Sequence, residues 1–183
     1  MTTNELSQTK WVIDPSHSEI AFKVKHLMIT NVKGVFSEFE ADITAPGNDF
    51  TKATINFRMN PASVNTGDAQ RDAHLRSADF FDVENHKQVT FAVTSSKETD
   101  DEGNFEMHGD LTIKGISKPV VLNVEFGGVV KDPWGNNKAG FTITGKINRK
   151  DWGLNWNAAL EAGGVLVGEI VNITCDIELT MQV

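Results

Sequence analysis

The residues best suited by type and spacing to do chemistry are Arg71, Asp72 and His74. On a helix, Arg71 and His74 share a face, where a guanidinium beside an imidazole suits an anion clamp or, with Asp72, an acid–base pair. The same side chains serve equally well as caps and ion pairs. The five histidines show no zinc-site spacing, and His17 and His26 would lie on opposite faces of one uninterrupted strand. Cys175, the only cysteine, lies among apolar residues, where a thiol acts as a small hydrophobe. No Gly-x-Ser-x-Gly elbow and no phosphate-cradling glycine loop is present. No metal site and no catalytic residue is therefore expected.

The elements that must position these groups are strands. Eight segments alternate apolar and polar residues with a period of two. Their apolar sets are Ile20, Phe22 and Val24; Val35, Phe39, Ala41 and Ile43; Ile55, Phe57 and Met59; Val89, Phe91 and Val93; Phe105, Met107, Leu111 and Ile113; Val120, Leu122, Val124 and Phe126; Phe141, Ile143 and Ile147; and the run from Val165 to Leu179. Alternation places one face in a core and the other in water, as in an antiparallel sheet. Asp101–Asn104, Gly115–Pro119 and Asp132–Asn137 carry turn chemistry. The expected fold is all-β, an eight-stranded antiparallel up-and-down barrel, with a sandwich as the alternative.

Residues 60–87 are too many for a hairpin loop, and a short helical insertion is expected near residues 66–82. Thr66 or Asp68 would cap it, and Asp72 and Arg76 stand at i,i+4 in the favourable order. Phe80 and Phe81 follow and need burial. The helix would cover one end of the barrel. Residues 1–10 are polar and read as a flexible N-terminus before a single domain over 11–183.

Composition narrows the function. The chain has 183 residues, 39% of them hydrophobic, and a net charge of −8. An acidic chain has no overall electrostatic reason to bind nucleic acid or an anionic membrane surface. One cysteine excludes an internal disulfide framework, and the first ten residues contain no apolar signal-peptide core, so a cytoplasmic location is expected.

Eight strands enclose either a solid core or one small ligand. The inward set is apolar, with small residues Ala41, Gly109 and Gly145 in it. His26, Arg149 and Glu169 continue inward parities, so each marks an open mouth or a register shift. Three readings stay open on these grounds: a binder of an apolar ligand, an enzyme acting in the same cavity with His74 and Asp72, and an interaction module with a filled core.

Longer motifs add to this. Trp11-Val12-Ile13-Asp14-Pro15-Ser16-His17-Ser18 precedes Ile20-x-Phe22-x-Val24-x-His26. Arg71-Asp72-x-His74-Leu75 precedes Asp79-Phe80-Phe81-Asp82-Val83, and Gly109 to Gly115 reads Gly-Asp-Leu-Thr-Ile-Lys-Gly. Gly140-Phe141 leads to Ile147-Asn148-Arg149-Lys150-Asp151-Trp152-Gly153. In this order the motifs resemble the YceI-like polyisoprenoid-binding family across nearly the whole chain. The resemblance implies an extended lipocalin-like barrel holding an isoprenoid lipid, of polyprenyl or ubiquinone/menaquinone type, in a carrier or storage protein rather than an enzyme. It also implies a homodimer, and transient membrane contact would allow lipid exchange. No cofactor is required. The residues expected to bind the lipid are Phe22, Val24, His26, Phe39, Ile55, Phe57, Arg71, His74, Leu75, Phe91, Leu111, Phe126, Phe141 and Ile143. Arg71, His74 and Arg149 would meet the head group if they reach the mouth.

Overall fold

A strand that is apolar on one face still has two edges of unpaired amides and carbonyls, and this chain satisfies them by closing its sheet on itself. The computed structural model describes residues 7–161 and 163–182. Its elements are β1 (Gln8–Ile13), β2 (Glu19–His26), β3 (Thr30–Phe36), β4 (Phe39–Pro46), β5 (Thr54–Met59), β6 (Val64–Asn65), α1 (Ala69–Arg76), β7 (Val89–Glu98), β8 (Phe105–Ile113), β9 (Ile116–Lys131), β10 (Asn137–Asn148) and β11 (Val167–Met181). All strand pairs are antiparallel, and the hydrogen-bonded order closes through β1 against β11, with Trp11 opposite Met181. Three staves are broken in two: β1 with β2, β3 with β4, and β5 with β6. With β7 to β11 they make an eight-stave up-and-down barrel, as the alternation predicts.

The breaks carry details that differ from the sequence reading. Gln8–Lys10, expected in the flexible N-terminus, pair with Pro46–Thr44; residues 1–6 lie outside the described residues. Between β3 and β4 the chain turns at Ser37 and Glu38, and the inward parity flips. Phe36 is therefore buried and Val35 is not, the reverse of the expected register. The turn before β9 is only Lys114–Gly115, both at positive φ, so Ile116–Pro119 belong to the strand. Between Val167 and Val171 the pairing with β2 slips, because the three residues Gly168, Glu169 and Ile170 of β11 face only Lys25. That bulge turns Glu169 outward, where it meets Lys150 at 2.8 Å.

The break in the first stave is held from outside. Asp14 caps the turn Pro15–His17 and accepts from Ser16 Oγ at 2.7 Å. It pairs with His17 Nδ1 at 2.9 Å and Lys138 Nζ at 3.1 Å. The Ser16 hydroxyl, then His17, hold the Asp14 carboxyl far below the usual carboxylate range, while Asp14 raises the His17 imidazole above its ordinary 6.5.

The two barrel ends are built differently. At the base, Asp49 caps the 3₁₀ turn Phe50–Lys52, which drives Phe50 into the barrel. Its ring meets Trp11 at 5.1 Å, Phe126 at 5.8 Å and Phe141 at 4.8 Å between centroids. At the top, Asn148 caps the turn Arg149–Trp152, Gly153 leaves it in the left-handed region, and Trp152 Nε1 donates to Leu111 O at 2.8 Å. Arg149 is buried. Its guanidinium donates to the carbonyls of Gly168, Leu154, Trp156 and Val167 at 2.5–3.3 Å, tying the backbone at those four positions to the barrel end. Burial lowers its pKa and Glu169 partly offsets that.

Three outcomes follow from these anchors. Phe50→Ala should lower unfolding free energy by about 3–5 kcal/mol in a denaturant titration, the usual cost of deleting a buried phenyl. Arg149→Lys should cost about 2–4 kcal/mol in the same measurement, because an ammonium cannot fork to four carbonyls and each one orphaned in a buried site costs about 1–3 kcal/mol. The His17 contribution is fully present below pH 6.5 and fades as pH rises through its raised folded value, whereas that of Asp14 is present above pH 3.8 and fades only in strong acid. Thermal midpoints of His17→Gln should therefore fall below wild type at pH 6 and converge with it toward pH 9.

Candidate functional site

Inward side chains that filled the barrel would leave no site, and here they do not fill it. A cavity of about 610 Å³ runs inside the barrel, a size that suits a small-molecule ligand. Glycines keep it open. A Cβ on Gly109 would lie 2.6 Å from the Phe91 ring, and Cβ atoms on Gly34 and Gly145 would collide with Phe22 and Leu122. At each point the end of a neighbouring stave's bulky side chain packs against bare backbone.

The wall of the lumen contains Phe22, Val24, Ile55, Phe57, Phe91, Leu111, Phe141 and Ile143, with Leu75 of α1 above them. His26, Arg71 and His74 line it at the top. These all belong to the set expected from sequence. Phe39 and Phe126, also expected there, do not line the cavity. Phe39 sits just after the break in its stave, and its ring stacks on Phe57 at 6.5 Å. Phe126 lies where the β9–β10 register shifts, and it is drawn into the aromatic base beside Phe50 and Phe141.

Several lining residues had no counterpart in the sequence reading. Phe50 and Trp156 come from segments without periodicity, while Phe36 follows a parity local to β3. Phe80 and Phe81, whose burial was expected, prove to line the lumen at its helical end, with Phe81 edge-on to Phe36 at 5.7 Å. Cys175 also lines the lumen, and burial pushes its thiol up to about 12, so it stays neutral.

The rim is polar, with Lys25, His26, Asp68, Gln70, Arg71 and His74 around the opening. Asp68, rather than Thr66, caps α1, accepting from Arg71 N at 2.9 Å; that bond holds its carboxyl below the ordinary value. Arg71 donates twice to Thr66, from Nε to Oγ1 at 2.7 Å and from Nη2 to the carbonyl at 2.9 Å. Arg149 borders the cavity, but its bonds to four carbonyls leave it unsuited to a head group.

The acid–base reading of the helix is not assembled. Asp72 is buried and accepts from Thr66 N and Oγ1 at 2.9 and 2.6 Å. His74 turns instead to Asp79, Nε2 to Oδ2 at 2.9 Å, with its ring edge-on to Trp156 at 4.5 Å and Phe80 at 5.1 Å. Nor does Asp72 pair with Arg76, whose Nε donates to Ala62 O. The fold also gathers Asp14, His17 and Glu178 within 4.8 Å, a grouping hidden in sequence by the distance between its members. Lys138 Nζ stands among them at 3.1 Å from Asp14 and 3.6 Å from Glu178, supplying the cation that cluster needs.

Comparison with known proteins agrees with this architecture. A UPF0312 protein of Staphylococcus aureus (strain MSSA476) is 38% identical over 175 residues, covering 95% of this chain and 99% of that one. A UPF0312 protein of Staphylococcus epidermidis is 40% identical over the same length and coverage. The YCEI protein of Campylobacter jejuni superposes with a TM-score of 0.71 at 32% identity, over 87% of this chain and 90% of that one. A polyisoprenoid binding domain from Saccharophagus degradans shares the fold, with a TM-score of 0.67 at 14% identity over 94% of this chain and 98% of that one. The YceI-like domain model matches residues 11–179, from within the first stave to within the last, and the chain belongs to that family.

Proposed function

We propose that this protein is a non-catalytic carrier or store for an isoprenoid lipid, held with its tail in the barrel and its head at the rim. The observation that carries the reading is the cavity itself: about 610 Å³, apolar along its wall, with Phe50 packed into one end and a polar rim at the other. A ligand suited to it has a long apolar tail and one small polar end. The similar fold of a polyisoprenoid binding domain supports the same ligand class.

Magnitudes assign the roles. At about 0.8 kcal/mol per buried carbon, a five-carbon isoprene unit contributes roughly 4 kcal/mol at most. A few units approach the ceiling for non-covalent affinity before ordering costs are subtracted. The tail therefore supplies affinity and the rim supplies selection. Arg71 retains donors beyond its two bonds to Thr66, and His26 and Gln70 also line the cavity, a set that matches the carbonyls of a quinone or the hydroxyl of a polyprenol.

Two measurements test this. Organic extraction of the purified chain, or native mass spectrometry, should yield an isoprenoid lipid. Calorimetric titration of the delipidated chain with a ubiquinone-type ligand should give saturable binding. Ile143→Trp, which fills the mid-lumen, should weaken that binding at least about tenfold, a loss of about 1.4 kcal/mol. The same change at Val121, exposed on the outer face, should leave it unaltered. Equal binding by both variants, or a wild type that takes up no such lipid, would overturn the assignment.

A further inference from the structure

The hairpin joining β2 to β3 breaks two rules of surface design. Its tip, Leu27–Ile29, is apolar and exposed: Leu27 by 37%, Met28 by 53% and Ile29 by 77%. Leu27 and Met28 both adopt positive φ, 53° and 61°, where Gly, Asn or Asp would relieve strain. A tip that only reversed the chain in water would be better served by polar residues.

Its flanks break the other rule. Lys23 stands directly opposite Lys33, a like-charge pair, and Lys25 stands opposite Asn31. Among the described residues, no carboxylate lies within 4.0 Å of any of these three amines. The nearby acid Glu169 is engaged by Lys150. Three unpaired cations thus stand together on a protein whose net charge is −8.

The hairpin is continuous with the opening of the cavity. Lys25 and His26 line that cavity, and Leu27 N donates to the carbonyl of Leu166, another lining residue, at 2.8 Å. We propose that this hairpin docks the barrel onto an anionic phospholipid bilayer, with Leu27, Met28 and Ile29 entering the acyl boundary and Lys23, Lys25 and Lys33 resting on the phosphates. Apolar anchors beside cations are the features such an interface selects. The docked mouth faces the membrane, so a lipid tail can cross without meeting bulk water. This inference rests on the lipid-carrier reading and names its membrane partner.

Vesicle flotation of the full chain tests it, with phosphatidylcholine–phosphatidylglycerol vesicles against phosphatidylcholine alone. The chain should float with the anionic vesicles and lose most of that binding on the neutral ones. Changing Leu27→Asn, Met28→Asn and Ile29→Ser together should lower the partition coefficient at least about tenfold, and Asn tolerates the left-handed backbone, so the fold is kept. Each Lys→Gln change at Lys23 or Lys33 should lower it by about fivefold. Calorimetric titration with the ubiquinone-type ligand should be unaltered in the tip variant, which separates the two readings: a chain that binds lipid but never floats overturns the docking, whereas one that floats but binds no lipid overturns the carrier. Self-association abolished by the tip changes, without vesicle binding, would identify the patch as a contact between copies and would also overturn the docking.

Discussion

Closure of the sheet is the constraint on which the rest depends. β11 runs from Val167 to Met181 and pairs along one edge with β10 and along the other with β2 and then β1. Because it borders both halves of the first stave, that stave can break at Asp14–Ser18 without opening the cylinder. Its polar corner, Asp14 with Ser16, His17 and Lys138, occupies the place where ladder hydrogen bonds lapse. Were β11 shorter, the break would expose two strand ends, and the interior would lie open to water.

A closed cylinder need not be hollow, and three features keep this one so. Glycines under Phe22, Phe91 and Leu122 let large side chains lie along the wall. Phe50 packs with Trp11, Phe126 and Phe141 to fill the base. Arg149 ties the segment after β10 to the other end through bonds to four carbonyls. A buried cation held only by carbonyls is costly, and the fold tolerates it because one guanidinium satisfies four acceptors that would otherwise need separate partners.

The eight alternating segments each became a stave, and most of the apolar residues read as inward do line the cavity. Two failures share a cause. Val35 and Glu169 take the wrong face when a parity is carried across a point where the strand breaks or bulges. Alternation reports the facing of a residue only relative to its own uninterrupted run, and a single extra residue inverts everything after it. The helix was legible from its cap and position, but the partners of Asp72, His74 and Arg76 were not, because Thr66, Asp79 and Ala62 reach them through loop geometry without periodicity.

Strand identity, the apolar character of the inner face and the placing of a helix between two staves are properties of short stretches, and the chain's own order of residues was enough to establish them. The hollow lumen was not readable that way. Whether phenylalanines fill a barrel or line it turns on which backbone lies beneath each ring in the neighbouring stave, as Gly109 lies beneath Phe91. The encounter of His17 with Glu178, and of Arg149 with the carbonyls of Val167 and Gly168, likewise arises only when distant segments meet. Local pattern sets which face a side chain takes; volume and long-range pairing are set by closure, where the packing of all eight staves is solved together.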